Sequence, residues 1–279
     1  MRKLFDGIAT ALVTPFRKNK VDYKAFAQLI NRQINMQVDA LVIIGTTGEF
    51  STLSYDERRE VVVFTLKTVA NRVPVIFGIG GNDPSTVISL GKFIKDKTKE
   101  FTAKKVGVML TAPYYNKATQ DGIFQFFKII TNAVKLPTIA YNVPGRAGIN
   151  IEPATMARIS QLTYVHGIKE ASGNIGQIAE VVALCPHTPV YGGDDALALP
   201  CYAVGCRGTI SVASNIDVAP VKEIYTLYKK GKPAVLQVFQ NQLPLYRSLF
   251  RAVNPIPIKY ELSELGLIKN ELRLPLTPL

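Results

Sequence analysis

Short apolar runs recur along the chain at 8–13, 40–44, 73–77, 106–110, 138–141, 165–168, 190–192 and 209–212. Most are continuous rather than alternating in polarity, the pattern of parallel strands covered on both faces. Helical signals fill the gaps between them. Asp22 caps a segment whose Tyr23, Phe26, Ile30 and Ile34 share a face. Ser54-Tyr55-Asp56-Glu57 has the form of a capping box ahead of Val62, Leu66 and Val69. Asp83-Pro84 places a cap and a first-turn proline before Val87, Leu90 and Ile94, and 120–134 and 175–184 continue the rhythm. Eight β-then-α units predict a (β/α)₈ TIM barrel, with an open doubly wound sheet as the alternative. After Val212 the segments 220–230, 234–250 and 258–265 read as helices without strands. The expected organisation is a catalytic barrel over 1–218 and a small C-terminal helical appendix, 219–279, packed on it.

The chain has 279 residues, 47% of them hydrophobic, enough for a large core. No run of eighteen apolar residues suggests a membrane span. The start, Met1-Arg2-Lys3, faintly imitates a secretory leader. Asp6 interrupts the apolar stretch, however, and no small-residue cleavage site precedes Pro15, so a cytoplasmic protein is expected. Cys185, Cys201 and Cys206 match no zinc spacing and read as reduced, buried thiols. With only two histidines, His166 and His187, a His-centred triad or a His-bound metal is disfavoured. Proton transfer then falls to Tyr, Lys, Thr, Asp or Glu. The net charge of +12 is scattered in small groups without a nucleic-acid motif. It reads as a solvated surface whose field attracts anionic small molecules.

In a barrel the chemistry sits where strands run into the following loops. Lys169 ends the run Tyr164-Val165-His166-Gly167-Ile168. A lysine in water keeps its proton up to about pH 10.4, and an apolar setting favours the neutral, nucleophilic amine of a Schiff-base enzyme. Gly45-Thr46-Thr47-Gly48-Glu49 after the second run offers close backbone amides and two hydroxyls, a plausible carboxylate cradle. Glu49 itself reads as a structural carboxylate held by nearby amides. Gly78-Ile79-Gly80-Gly81 lacks the third glycine of a dinucleotide fingerprint. Tyr114-Tyr115 sits in a proline-bearing loop after the fourth run. Tyr141 would point into the barrel mouth beside Lys169, and Arg146, beyond Pro144, can clamp a carboxylate. Gly192-Gly193-Asp194-Asp195 reads as a turn and helix cap.

Taken in order, Gly45-Thr46-Thr47-Gly48-Glu49, Pro113-Tyr114-Tyr115-Asn116, Tyr141-Asn142-Val143-Pro144-Gly145-Arg146, Gly167-Ile168-Lys169-Glu170 and Asn254-Pro255-Ile256-Pro257-Ile258-Lys259 resemble the 4-hydroxy-tetrahydrodipicolinate synthase (dihydrodipicolinate synthase) family of pyruvate-dependent class I aldolases. The resemblance runs essentially end to end. It implies a lyase of lysine and diaminopimelate biosynthesis that condenses pyruvate with L-aspartate 4-semialdehyde. Lys169 would form the Schiff base, and Tyr141 would relay protons with Thr46 and Tyr115. Thr47 and the backbone of Ile210 would hold the pyruvate carboxylate, and Arg146 would receive that of the semialdehyde. The residue matching Tyr115 comes from a neighbouring subunit in this family, which implies a homo-oligomer, a dimer of dimers (homotetramer). No cofactor or metal is implied, because the iminium is its own electron sink. Neither nucleic acid nor membrane is an expected partner. Lysine-regulated members carry histidines and a glutamate where this chain has Tyr55, Arg58 and Thr86, so L-lysine is expected to inhibit weakly or not at all. The alternatives are a sister aldolase acting on sialic acid or a 2-keto-3-deoxy sugar acid, and a non-catalytic barrel serving as a scaffold.

Overall fold

The computed structural model describes residues 3–279. Met1 and Arg2, part of the leader-like start, lie outside the described residues. The apolar runs form parallel strands β1 (Gly7–Ala11), β2 (Ala40–Ile43), β3 (Val75–Gly78), β4 (Val106–Thr111), β5 (Thr138–Asn142), β6 (Val165–Glu170), β7 (Val190–Gly192) and β8 (Gly208–Ser211). Each pairs with its sequence neighbours, and β1 also pairs with β8. Ala9, for instance, has Ile210 on one side and Ala40 on the other. The sheet is therefore a closed (β/α)₈ barrel and not an open doubly wound sheet.

Strand alternation divides the core in two. Ala9, Ala40, Val42, Ile76, Ile139, Tyr141, Tyr191 and Ile210 pack together inside the barrel. Ile8, Leu41, Phe77, Val108, Leu110 and Ile168 belong to the larger cluster beneath the helices. Small alanines on β1 and β2 make room for the tyrosines of β5 and β7 in a narrow interior. Phe5, just ahead of β1, stacks on Tyr191 at 4.2 Å and accepts the Tyr191 hydroxyl on its carbonyl at 2.8 Å. That contact plugs the end of the barrel opposite the catalytic loops.

The first helices are α1 (Tyr23–Asn35), α2 (Tyr55–Val69), α3 (Pro84–Glu100) and α4 (Gln120–Val134). Their caps are the expected ones. Asp22 accepts from the Ala25 N–H, Ser54 and Glu57 form a reciprocal capping box, and Asp83 accepts from Ser85 and Thr86 with Pro84 in the first turn. Then come α5 (Pro153–Ser160), α6 (Ile175–Leu184), α7 (Ala198–Ala203), α8 (Val218–Lys229), α9 (Val235–Ser248) and α10 (Ile256–Glu264). The cap expected at Gly192–Asp195 is Asp194, which accepts from the Ala196 N–H ahead of α7. Helix α5, the hairpin of Phe16–Arg17 with Lys20–Val21, and the one-turn helix Pro144–Ala147 go beyond the sequence reading. Helix α8 lies against β1, and α9 packs on α8. The three cysteines are free and buried.

Candidate active site

The ends of β5 and β6 carry the central pair. Tyr141 and Lys169 are register partners on adjacent strands, so both side chains leave the sheet on its inner face. The Lys169 ammonium nitrogen lies 4.3 Å from the centroid of the Tyr141 ring. Lys169 is only 6% exposed and forms no ion pair among the described residues. Gly193, just past β7, leaves space for its stem: a Cβ there would sit 2.9 Å from Lys169 Cε. The same Cβ would lie 2.6 Å from Ala171 Cβ, so a side chain at that position crowds both residues.

The loop after β2 is bracketed by two left-handed residues, Ile44 at φ 57° and Glu49 at φ 54°. A β-branched residue in that region is strained, and such strain is concentrated at functional loops. The Ile44 carbonyl comes so near β3 that a Cβ at Gly78 would lie 2.1 Å from it, so only glycine fits there. The backbone turns back on itself, with the N–H groups of Gly48 and Phe50 both donating to the Gly45 carbonyl. Thr47 is buried, and its Oγ1 accepts the Asn254 side-chain amide at 3.0 Å. Accepting that bond leaves the hydroxyl proton free to donate.

Glu49 is structural, as expected, but its main partner is an ammonium rather than amides. It pairs with Lys259, both side chains being essentially inaccessible, and it also accepts the Arg273 backbone N–H at 3.2 Å. Burial pushes the Lys259 pKa down, and the Glu49 charge opposes that shift. The Lys259 and Arg273 cations lie 4.2 and 4.4 Å from the Phe16 ring centroid. Arg273 also donates to Glu57, Thr52 and Asn19, and it holds the Glu57 carboxyl at about 2. The C-terminal region thus staples the loop from behind.

Above Tyr141, a recess of about 210 Å³ is lined by Thr46, Phe50, Thr111, Tyr114, Val143 and Arg146, among others. Val143 is two residues beyond Tyr141 on the same face, which puts the Tyr141–Lys169 pair one layer deeper in the mouth. Arg146 rides on the one-turn helix begun by Pro144, and its guanidinium donates to the Asn254 carbonyl at 2.9 Å. Ile210, 1% exposed, belongs to the same inner cluster as Tyr141. Tyr115 stands apart from the other predicted residues. It is 86% exposed, has φ +71° and does not line the recess, whereas Tyr114 does. Asn254, Lys259 and Arg273 carried no assigned role in the sequence reading. The available signal was Lys259 within the apolar run Ile256-Pro257-Ile258, the same anomaly that singled out Lys169.

A closed (β/α)₈ barrel with an unpaired buried lysine beside a tyrosine at its mouth defines a lysine-dependent aldolase-type lyase. Within that class, the chain belongs to the dihydrodipicolinate synthetase family, whose model matches residues 4–279. It is 42% identical to the 4-hydroxy-tetrahydrodipicolinate synthase of Alkaliphilus oremlandii, covering 99% of this chain and 94% of that protein. The synthase of Nitratidesulfovibrio vulgaris is also 42% identical, covering 99% and 93%. Among solved structures, dihydrodipicolinate synthase from Thermotoga maritima superposes with a TM-score of 0.93 at 38% identity, covering 99% of this chain and 94% of the other. The Acinetobacter baumannii enzyme complexed with pyruvate gives 0.92 at 37% identity, covering 98% and 93%. No helix among the described residues is long and apolar enough to cross a membrane.

Proposed function

We propose that this protein is a 4-hydroxy-tetrahydrodipicolinate synthase, joining pyruvate to L-aspartate 4-semialdehyde in lysine and diaminopimelate biosynthesis. The observation that carries the reading is the buried, unpaired Lys169 amine 4.3 Å from the Tyr141 ring at the barrel mouth. In its neutral form the amine adds to the pyruvate carbonyl and water leaves, giving an iminium. The iminium draws electrons from the pyruvate methyl, which loses a proton and becomes the nucleophilic carbon of an enamine. That carbon attacks the aldehyde. The substrate's own amine then closes the ring and frees Lys169.

In this reading Tyr141 moves protons to and from the carbinolamine, with Thr46 and Tyr115 completing the relay. The free Thr47 hydroxyl proton and the Ile210 backbone bind the pyruvate carboxylate. Arg146, at the rim, takes the semialdehyde carboxylate, for which a planar guanidinium is suited. Tyr115, projecting from its own barrel, serves the site of a second copy, which calls for a homo-oligomer, a dimer of dimers. The barrel, 1–218, performs the chemistry. The region 219–279 supports it through Asn254, Lys259 and Arg273. A cytoplasmic location fits a biosynthetic enzyme of this kind.

Steady-state turnover of pyruvate with L-aspartate 4-semialdehyde tests the assignment against retro-aldol cleavage of sialic acid or a 2-keto-3-deoxy sugar acid. Efficient turnover of the first pair alone is expected. Preferential cleavage of the sugar acid would overturn it.

A further inference from the structure

Glu170 is a buried ionisable group that the chemistry above leaves unused. It follows Lys169 at the end of β6 and pairs with Asn142 as Lys169 pairs with Tyr141. Alternation sends Glu170 and Asn142 to the outer face of the barrel, directly behind the reacting pair. There the Asn142 amide donates to both carboxylate oxygens at 3.1 Å, and the Ser172 N–H donates at 2.9 Å. The Gln177 amide adds a longer contact of 3.4 Å. The Asn142 amide cannot be turned round, because its Oδ1 accepts the Ile151 backbone N–H at 3.0 Å.

The Asn142 and Gln177 amides and the Ser172 N–H thus all donate to Glu170, and the Ser172 hydroxyl is a further partner. The three N–H donors are met by the lone pairs of a carboxylate, and a proton on either oxygen would remove a site that the Asn142 amide occupies. Burial pushes its pKa up, and these donors pull against that. Although only 1% exposed, Glu170 forms no ion pair with a lysine or arginine among the described residues. The ionisable groups around it are Lys169 on its own strand, Tyr141 on β5, and the Cys201 and Cys206 thiols beyond β7. Asp194 and Asp195 follow the glycines that end β7, and α6 contributes only the neutral Gln177. The hydrogen bond with the Cys201 thiol, with burial behind it, pushes the Cys206 pKa up. A buried carboxylate without a resident cation is costly unless a cation arrives during function.

From this geometry we infer that Glu170 is the fixed counter-charge for the cationic Schiff base on Lys169, acting across the thickness of one strand rather than by contact. The inference rests on the proposed synthase chemistry. Condensation consumes the neutral amine, the ketone and one proton, releases one water, and leaves an iminium cation at Nζ. A carboxylate held behind the strand stabilises that cation relative to the neutral imine. At the effective dielectric of a protein, a unit charge at this kind of separation shifts a protonation equilibrium by roughly tenfold, or about one pH unit. Glu170 is thus a positioning and electrostatic residue, not a catalytic one.

The test traps the pyruvate adduct on the full-length protein across a pH series. Cyanoborohydride reduces the iminium selectively and borohydride reduces both imine forms, so the ratio of initial trapping rates follows the protonated fraction. In Glu170→Gln this ratio should fall at a pH roughly one unit lower than in the unsubstituted protein. The exchanged pair Asn142→Asp with Glu170→Gln keeps one carboxylate and one amide in the clasp and should restore the original profile. An unchanged profile in Glu170→Gln would overturn the inference while leaving the synthase reading intact. Should that single variant fail to fold, the exchanged pair decides, and a shifted profile there overturns the inference. Absence of any Lys169 adduct in the unsubstituted protein would instead remove the synthase reading on which the inference stands.

Discussion

Among the described residues two lysines are buried, and their surroundings differ in the features that the proposed chemistry turns on. Lys169 and Lys259 are 6% and 0% exposed, and each ammonium lies over an aromatic ring, at 4.3 Å from Tyr141 and 4.2 Å from Phe16. Lys259 also has the Glu49 carboxylate against it, sealed from water. A buried amine hydrogen-bonded to a buried carboxylate serves chiefly to fix geometry. Lys169 has no carboxylate in ion-pair contact, and its ring belongs to a tyrosine, whose hydroxyl can pass a proton. It also lies on the inner face of the barrel one layer below the recess at the mouth, whereas Lys259 lies against the back of a loop. Burial alone does not mark a lysine as a nucleophile; in the proposed reading the missing partner and the place at the barrel mouth single out Lys169.

The comparison is broken most sharply by removing each amine in turn. Lys169→Met should lower kcat/KM by at least about 10³-fold while leaving thermal unfolding near that of the parent. Activity within a few-fold of the parent would show the chemistry to lie elsewhere. Tyr141→Phe keeps the ring under the ammonium but deletes the hydroxyl. Loss of a proton-transfer group should cost about 10²- to 10⁴-fold in kcat. An unchanged kcat would reduce Tyr141 to packing.

Lys259→Met should do the reverse of Lys169→Met, acting mainly on stability. It strands the Glu49 carboxylate, which should cost about 3–5 kcal/mol in a denaturant titration. Replacing both partners by apolar residues of similar volume should recover much of that loss. A single variant as stable as the parent would contradict the staple.

A smaller effect comes from acid. Arg273 holds Glu57 at about 2, below its ordinary 4.5. A carboxyl depressed by folding contributes stability that is complete above its ordinary value and is lost as pH falls towards its folded one. The stability gap between the parent and Glu57→Gln should therefore be constant above about pH 4.5 and close between there and about pH 2. A gap that persists into strong acid would mean the Arg273 clamp is not electrostatic. The smallest expected effect is that of L-lysine, since Tyr55, Arg58 and Thr86 replace the groups expected of lysine-regulated members. Submillimolar inhibition in a steady-state assay would overturn that expectation.

The sequence exposed one part of this architecture far better than the other. Most barrel strands are continuous apolar runs, and most of the helices between them are capped and periodic, so local signals agree with the closed barrel. Helix α5 lacked such a signal: within Pro153–Ser160 only Thr155, Met156 and Ile159 are buried, too few to set a period. The hairpin at Phe16–Val21 turns through Lys18 and Asn19, both left-handed, and a lysine there gives no turn signature. In the site, Lys169 and Tyr141 could be brought together by reasoning alone, because adjacent strands and strand alternation suffice. The contacts of Asn254 with Thr47, of Lys259 with Glu49 and of Arg273 with Glu57 could not. They join residues more than two hundred positions apart, which no periodicity encodes. Tyr115 lies between these cases: only the family likeness gave it a role, and in the proposed reading that role needs a second copy.

The central claim is that the unpaired buried amine, and not the paired one, meets the oxo acid. Reduction with borohydride in the presence of pyruvate, followed by proteolysis and mass mapping, tests it directly. The account predicts a single adduct on the peptide containing Lys169, with Lys259 unmodified. An adduct at Lys259 or any other lysine, or none at all, would contradict it.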